Sequence, residues 1–130
     1  MQNGFFDGMQ QPKIEQMPAL LKEAYLQVNQ DEVGFTKMFH RDVARMIAFK
    51  DIPASTIKDI RAPALVINGD AEVVLADHAL LLSKTIANAR LVILPSGHGD
   101  YIGEICAIDQ NSNQISFVVN LINHFLAAGK

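Results

Sequence analysis

The sequence has a single cysteine, no excess of positive charge and no long apolar run, and each absence excludes a class of protein. Cys106 cannot form an intramolecular disulfide, which favours a reducing compartment. A net charge of -3 and a pI near 5.7 argue against nucleic acid or an anionic membrane as a partner. No run of about 18 apolar residues occurs, so no membrane span is predicted.

The N-terminal residues also lack the features of a secretory signal. The stretch MQNGFFDGMQQPK has no positively charged region followed by an apolar one. We therefore expect a cytoplasmic protein, while export as part of a longer precursor stays open. Whether Met1 is the natural start is open as well.

The remaining composition is typical of one folded domain. A chain of 130 residues with 49% hydrophobic and 19% charged residues can bury one core and is not expected to be disordered. Its first part has a helical pattern. After an irregular lead-in, apolar residues recur every three or four positions in MPALLKEAYLQVN and in DEVGFTKMFHRDVARMIAFK, so two helices are predicted. Asp31 is a candidate N-cap of the second helix. A short segment, PASTIKDI, follows.

The second part has a strand–helix–strand pattern. ALVIN and ARLVILP are short continuous apolar runs, as expected of strands buried on both faces. Between them, ADHALLLSKTIAN predicts a helix with Asp77 as N-cap and Asn88 as C-cap. This order predicts a βαβ unit with parallel strands. A closing helix that ends at Gly129 is predicted to bury one face, formed by Val118, Leu121, Ile122 and Phe125.

Two parallel strands do not make a stable sheet by themselves. Their outer edges leave unpaired backbone groups, and few helices are available to cover both faces. We expect the missing strands to come from another chain, another copy or a segment that this sequence does not contain.

Polar residues follow both predicted strands. NGDAEVV follows the first strand and PSGHGDY follows the second. Because neighbouring parallel strands lie about 4.8 Å apart, an acid after one strand and His98 after the other can meet. Gly97 and Gly99 are predicted to allow the loop unusual backbone angles. Alternatively, His98 is a solvated loop residue.

The other chemistry-bearing residues favour structural roles. Asp100 and Glu104 are expected to brace the loop or face solvent, and Cys106 to be a small buried apolar residue. Three further histidines have no second ligand at metal spacing and are expected to be solvated or to cap helices: His40, His78 and His124. We predict no metal and no cofactor.

Two stretches together resemble a known family. IRAPALVINGDAEVV, then ARLVILPSGHGDYIGE and an amphipathic helix, resemble the C-terminal half of the α/β-hydrolase fold family. In that family a glycine after one strand precedes the triad acid by three residues, and the next strand leads to Pro, small residues, Gly and the triad histidine. By position, Glu72 matches the acid and His98 the histidine. The family usually has aspartate there, so Asp70 stays a rival for the role, and Ala76 stands where a proline is common.

The resemblance, which covers residues 57–127, implies a partial α/β-hydrolase fold. Two parallel strands with flanking helices, in residues 57–130, would be the C-terminal part of the core. Residues 1–56 would be lid-type helices, and the N-terminal half of the sheet would be absent. A small ester or acyl substrate would lie between the strand ends and residues 17–49.

The nucleophile of that family is missing. Its serine lies in G-x-S-x-G, and no serine of this chain has that surrounding sequence. We therefore predict a hydrolase portion that supplies acid and histidine but is inactive alone, whether the missing nucleophile is Ser or Asp. It would pair with a missing N-terminal half. The alternative is a non-catalytic interaction module that forms a homodimer or binds another protein.

Overall fold

The computed structural model describes residues 12–107 and 113–128, which form a mixed α/β fold with two parallel strands and five helices. The elements are α1 (Ala19–Val28), α2 (Glu32–Ile47), α3 (Ala54–Lys58), β1 (Ala64–Gly69), α4 (Ala76–Thr85), β2 (Ala89–Leu94) and α5 (Gln114–Ala128). None of the helices in these ranges is long and apolar enough to cross a lipid bilayer.

The chain divides into two compact units, between Asp51 and Ile52. The predicted division between residues 56 and 57 lies nearby but would cut through α3, which belongs wholly to the second unit. Pro53 occupies the N-cap position of α3 and fixes where this helix begins.

The first unit is a pair of helices that pack through aromatic side chains. Asp31 caps α2 as predicted, because its Oδ1 accepts a hydrogen bond of 2.9 Å from the Gly34 amide. Phe35 and Phe39, one turn apart on α2, are buried. The Tyr25 ring of α1 lies 5.4 Å from the Phe35 ring, measured between centroids, in a tilted arrangement that aromatic pairs favour.

The two strands of the second unit pair in parallel, as predicted, in a continuous register from Ala64↔Ala89 to Gly69↔Leu94. The expectation that both faces are buried is wrong. Ile93 is 39% exposed, and Arg90 is also exposed. Within the described residues the sheet has two strands. The exposure of Ile93 and Arg90 shows that part of its surface is uncovered.

α4 packs on both strands, but its ends differ from the prediction. Asp77 is not the N-cap, because α4 begins at Ala76. The Asp77 carboxylate lies in the first turn, where the positive end of the helix dipole stabilises its negative charge. Asn88 is not the C-cap. The chain leaves the helix at Ile86, whose extended backbone lets its side chain become buried, and the Asn88 amide instead donates to the Arg61 carbonyl.

α5 buries the predicted face, since Val118 is fully buried and Leu121, Ile122 and Phe125 are half-buried. The predicted stop at Gly129 lies outside the described residues. Apolar residues also flank that face and are exposed: Phe117, Val119 and Leu126. A groove of about 420 Å³ separates α5 from the strands, lined by Leu65, Val92, Leu121, His124 and Phe125 among others.

Candidate functional site

The backbone hydrogen bonds between the two strands continue into the loops that follow them. The Asp70 amide donates to the Leu94 carbonyl at 2.8 Å, and the Ala71 amide donates to the Ser96 carbonyl at 3.2 Å. In return, the Ser96 amide donates to the Asp70 carboxylate at 3.0 Å. The two loops are therefore held side by side at the carboxyl ends of the strands.

Gly69 allows this close approach. A Cβ atom at this position would overlap the Ser96 carbonyl oxygen, which is a backbone atom and cannot move away independently. Glycine is therefore required here by contact distance.

Asn68 fixes the shape of the loop after β1. Its side chain is buried, and its amide donates to the carbonyls of Gly69, at 2.7 Å, and Val74, at 2.8 Å. These bonds satisfy buried backbone acceptors that would otherwise lose their hydrogen bonds. The sequence interpretation assigned no role to Asn68, although a polar residue at the end of the apolar run ALVIN was a signal for one.

The loops bring Glu72 and His98 together. Glu72 Oε2 lies 2.7 Å from His98 Nδ1. The Glu72 side chain is only 6% exposed, whereas that of His98 is 71% exposed. An ionised carboxylate can only accept hydrogen bonds, so Nδ1 carries the proton and donates a hydrogen bond to Glu72. In the neutral ring, Nε2 is then left as an acceptor, available to take up a proton.

Asp70, the rival for the acid position, is engaged elsewhere. Its carboxylate accepts the Ser96 amide, and its role is to hold the second loop. The expectation that an acid and an imidazole meet at this edge of the sheet is confirmed, and the acid is Glu72.

The glycines beside His98 have different roles. Gly99 has φ of 74°, in the left-handed region, as predicted. Gly97 does not have a positive φ, so that part of the prediction is wrong. Instead, the Gly97 amide donates to the Asp100 carboxylate at 3.2 Å, and a Cβ at Gly97 would lie 2.8 Å from the same carboxylate.

The charge of Glu72 acts on a further polar side chain, that of Tyr101. The pKa of Tyr101 is raised above its ordinary value of 10.0, first by burial and then by the charge of Glu72. Tyr101 was not singled out from the sequence. Its signal was its place three residues after His98.

Asp100 and Glu104 have the roles expected of them, whereas Cys106, expected to be buried, is only half-buried. Burial, followed by the negative charge of Glu104, raises the pKa of the Cys106 thiol above 9.0, so the thiol is not activated as a nucleophile. Glu104 accepts the Cys106 amide at 2.7 Å, and Asp100 accepts the Gly97 amide. Both acids therefore brace the loop.

The remaining histidines form no site with one another. The ring of His40 lies edge-on to Phe39 with centroids 5.5 Å apart, and His124 lines the groove beneath α5. His78 lies in the first turn of α4. Across residues 12–107 and 113–128, no group of three or more His, Cys, Asp and Glu side chains is arranged to hold a metal ion.

Together these residues define a mixed α/β chain with a hydrogen-bonded acid–imidazole pair at the ends of neighbouring parallel strands. Comparisons with protein-family models, with curated proteins and with solved structures find no match for this chain. Its resemblance to the α/β-hydrolase fold family therefore stays a prediction.

Proposed function

We propose that this chain is the C-terminal portion of an esterase-like hydrolase with an α/β-hydrolase fold, in which Glu72 and His98 are the acid and the base. One observation carries the proposal: the 2.7 Å contact between Glu72 Oε2 and His98 Nδ1. The buried carboxylate holds one tautomer of the imidazole, and the exposed ring offers its other nitrogen to a reacting group.

In this proposal His98 moves protons in each step of acyl transfer. Its Nε2 takes the proton of a nucleophilic hydroxyl as that oxygen attacks the ester carbon, and then gives it to the departing alcohol. It next activates the water that releases the acid. Glu72 stabilises the imidazolium that forms between these steps. With an aspartate nucleophile instead of serine, the same histidine would activate only the water.

The nucleophile and the oxyanion-binding donors come from a segment that this sequence does not contain. Ser96 does not replace them: its side chain is buried, and its hydroxyl donates to the Gly97 carbonyl at 3.5 Å. We therefore expect no ester turnover by the isolated chain.

The proposal can be tested by complementation. The chain is co-expressed with the N-terminal half of an α/β-hydrolase that carries G-x-S-x-G, and hydrolysis of p-nitrophenyl acetate is measured. The complex should hydrolyse the ester, and His98→Ala should lower kcat by roughly 100-fold to 10,000-fold, the usual contribution of a general base. Glu72→Gln should also lower kcat, because the amide can favour the wrong tautomer.

His124→Ala is the matched control, since His124 lines the groove near the beginnings of the strands, away from the carboxyl ends. It should leave turnover unchanged. Activity that survives His98→Ala, or falls equally with His124→Ala, contradicts the assignment of the base.

A second candidate function is a dimerisation module, and the exposed apolar surface of α5 favours it. Phe117 and Leu126 are 58% and 61% exposed, and a helix that is apolar beyond one face is normally covered. In this alternative, α5 packs against α5 of a second copy across a two-fold axis.

Sedimentation analysis distinguishes the two candidates. A stable dimer that Leu126→Lys converts to monomer, with no ester turnover after complementation, supports the module. A chain that stays monomeric at all concentrations contradicts it.

A further inference from the structure

Asn68, the residue before the last one of β1, is buried, with only 7% of its surface exposed. Its side-chain nitrogen lies 2.7 Å from the Gly69 carbonyl oxygen and 2.8 Å from the Val74 carbonyl oxygen. Gly69 ends the strand, and Val74 comes two residues before α4 begins. One side chain therefore ties together the two ends of the loop 69–74.

The two carbonyl groups require a partner that can donate twice. A carboxamide nitrogen carries two hydrogens, one for each carbonyl. The orientation of the Asn68 amide is fixed as well, because its oxygen in the same place would face two other oxygens and be repelled. At this buried position, a side chain without donors would leave both carbonyls short of a hydrogen bond.

The loop that Asn68 closes carries both acids that meet the neighbouring loop. The Asp70 carboxylate accepts the Ser96 amide at 3.0 Å, and the Glu72 carboxylate lies 2.7 Å from His98 Nδ1. Both acids lie between the two carbonyls that receive the Asn68 amide. The path of this short loop therefore determines where each carboxylate meets the second loop.

Glu72 has a fixed backbone point on each side. The hydrogen bonds between the strands continue as far as Ala71, whose amide donates to the Ser96 carbonyl at 3.2 Å. Two residues beyond Glu72, the Val74 carbonyl is held by Asn68. The contact of Glu72 with His98 is sensitive to this path, because a 2.7 Å contact that lengthens by about 1 Å is no longer a hydrogen bond.

We propose that Asn68 is a positioning residue, which closes the loop after β1 and so sets the place where the Glu72 carboxylate meets His98 Nδ1. It acts through the backbone of the loop and touches neither the imidazole nor a substrate. The effect on catalysis rests on the proposed hydrolase function. The effect on the His98 ring does not, and it can be measured on the chain alone.

The first test uses the unaltered chain and the side-chain amide protons of its asparagines. Those of Asn68 should exchange with water roughly 10-fold more slowly than those of Asn88, because buried, hydrogen-bonded protons are protected. The Asn88 amide donates to the Arg61 carbonyl at 3.1 Å, but at an exposed site. Equal exchange rates for the two asparagines overturn the proposal.

The second test replaces Asn68 and follows His98 by nuclear magnetic resonance. Asn68→Asp keeps the shape of the side chain but places an oxygen against both carbonyls, so the loop has to move. The Nδ1 proton of His98, identified by its absence in His98→Ala, should exchange with water several-fold faster than in the parent chain. Asn68→Ala, which removes both donors without adding a charge, should change this resonance in the same direction.

Asn88→Asp is the matched control, because it makes the same substitution at another asparagine that links two segments of this unit, by a bond spanning 27 positions. Asn88 precedes β2, whereas His98 follows it, so the control should leave the Nδ1 resonance unchanged. An unaltered resonance in the folded Asn68 variants, or an equal change in Asn88→Asp, overturns the proposal. Unfolding of both Asn68 variants also overturns it, because Asn68 would then hold the whole unit and not the loop.

The complemented hydrolase gives a third readout. There Asn68→Asp should lower kcat roughly 10-fold to 100-fold and change KM little, because it misaligns the base without touching substrate. If the His98 resonance responds to the Asn68 variants but complementation yields no esterase, the proposed function fails and the positioning role stands. If the esterase is active and the Asn68 variants change neither the resonance nor kcat, only the present inference fails.

Discussion

The helical unit and the strand-end loops are each stabilised by side-chain hydrogen bonds, but these bonds span different numbers of residues along the chain. In the helical unit, side-chain hydrogen bonds such as that from the Gly34 amide to Asp31 link residues three or four positions apart. At the strand ends, the bonds between Ser96 and Asp70 and between His98 and Glu72 both span 26 positions.

This difference shows which interactions can be predicted from a short stretch of sequence and which cannot. Local bonds define where a helix begins, and they can be recognised in a short stretch of sequence. The long-range bonds assemble reactive groups from separate stretches, and they form only when the two strands pair in one register.

The largest effect is expected from the aromatic core of the helical unit. Phe35→Ala removes a side chain that is 3% exposed and in contact with the Tyr25 ring, and it should cost about 3–5 kcal/mol. Amide exchange of α1 and α2 measures this loss. Val33→Ala, at a site that is 65% exposed on the same helix, should cost less than about 0.5 kcal/mol. Similar losses for the two variants would show that the aromatic contact does not hold the pair.

A smaller loss is expected where the two loops touch. Gly69→Ala introduces a Cβ that overlaps the Ser96 carbonyl oxygen and should destabilise the second unit by about 1–3 kcal/mol in urea unfolding. Gly97→Ala is the matched control. Among the described residues, its Cβ meets only the Asp100 side chain, which can rotate, so a smaller loss is expected. An unchanged midpoint for Gly69→Ala would mean that the loops are not in contact as described.

The N-cap of α2 should contribute less to stability than the aromatic core or the contact between the two loops. Asp31→Ala removes the acceptor of the Gly34 amide and should cost about 1 kcal/mol, as N-cap replacements commonly do. Thermal unfolding followed by helical circular dichroism measures this cost. Asp31→Asn keeps a hydrogen-bond acceptor and should have little effect on stability. Equal losses of stability for both variants would mean that the negative charge of Asp31, and not its hydrogen bond, stabilises the helix.

The smallest effect concerns Cys106. Its pKa is raised in the folded chain, so proton binding favours the folded state; this stabilisation is complete below about pH 9 and is lost as the pH rises through the folded pKa. At pH 8 the folded thiol should react with an aromatic disulfide more slowly than the urea-unfolded thiol. The difference in rate should shrink at higher pH. A faster reaction in the folded chain would contradict the raised pKa.

Much of the fold could be predicted from short-range patterns, since both strands, their parallel pairing and every helix except the short α3 follow from apolar spacing. Caps were predicted less well. Asp31 caps α2, but α4 begins at Ala76, before Asp77, and the chain leaves it at the buried Ile86, before Asn88. The preference of a residue type for a cap position takes no account of whether the neighbouring side chains are buried.

The site could be predicted in outline. The meeting of an acid and His98 follows from two strand ends at one edge, but the choice of Glu72 over Asp70 depends on which carboxylate the Ser96 amide occupies. The position of Glu72, three residues after Gly69, matched the resemblance, but this spacing could not show that Asp70 is engaged by the Ser96 amide, because that bond forms only when the two loops lie side by side.

The strand register described above limits where the chain can change in length. A one-residue insertion inside β2 would displace His98 by about 3.3 Å along the sheet, which exceeds the tolerance of a hydrogen bond to Glu72. An insertion in the turn just before Ala89 leaves the pairing of the strands intact. We therefore expect that variants lengthened before Ala89 keep the acid–imidazole contact, and that variants lengthened between Ala89 and His98 lose it.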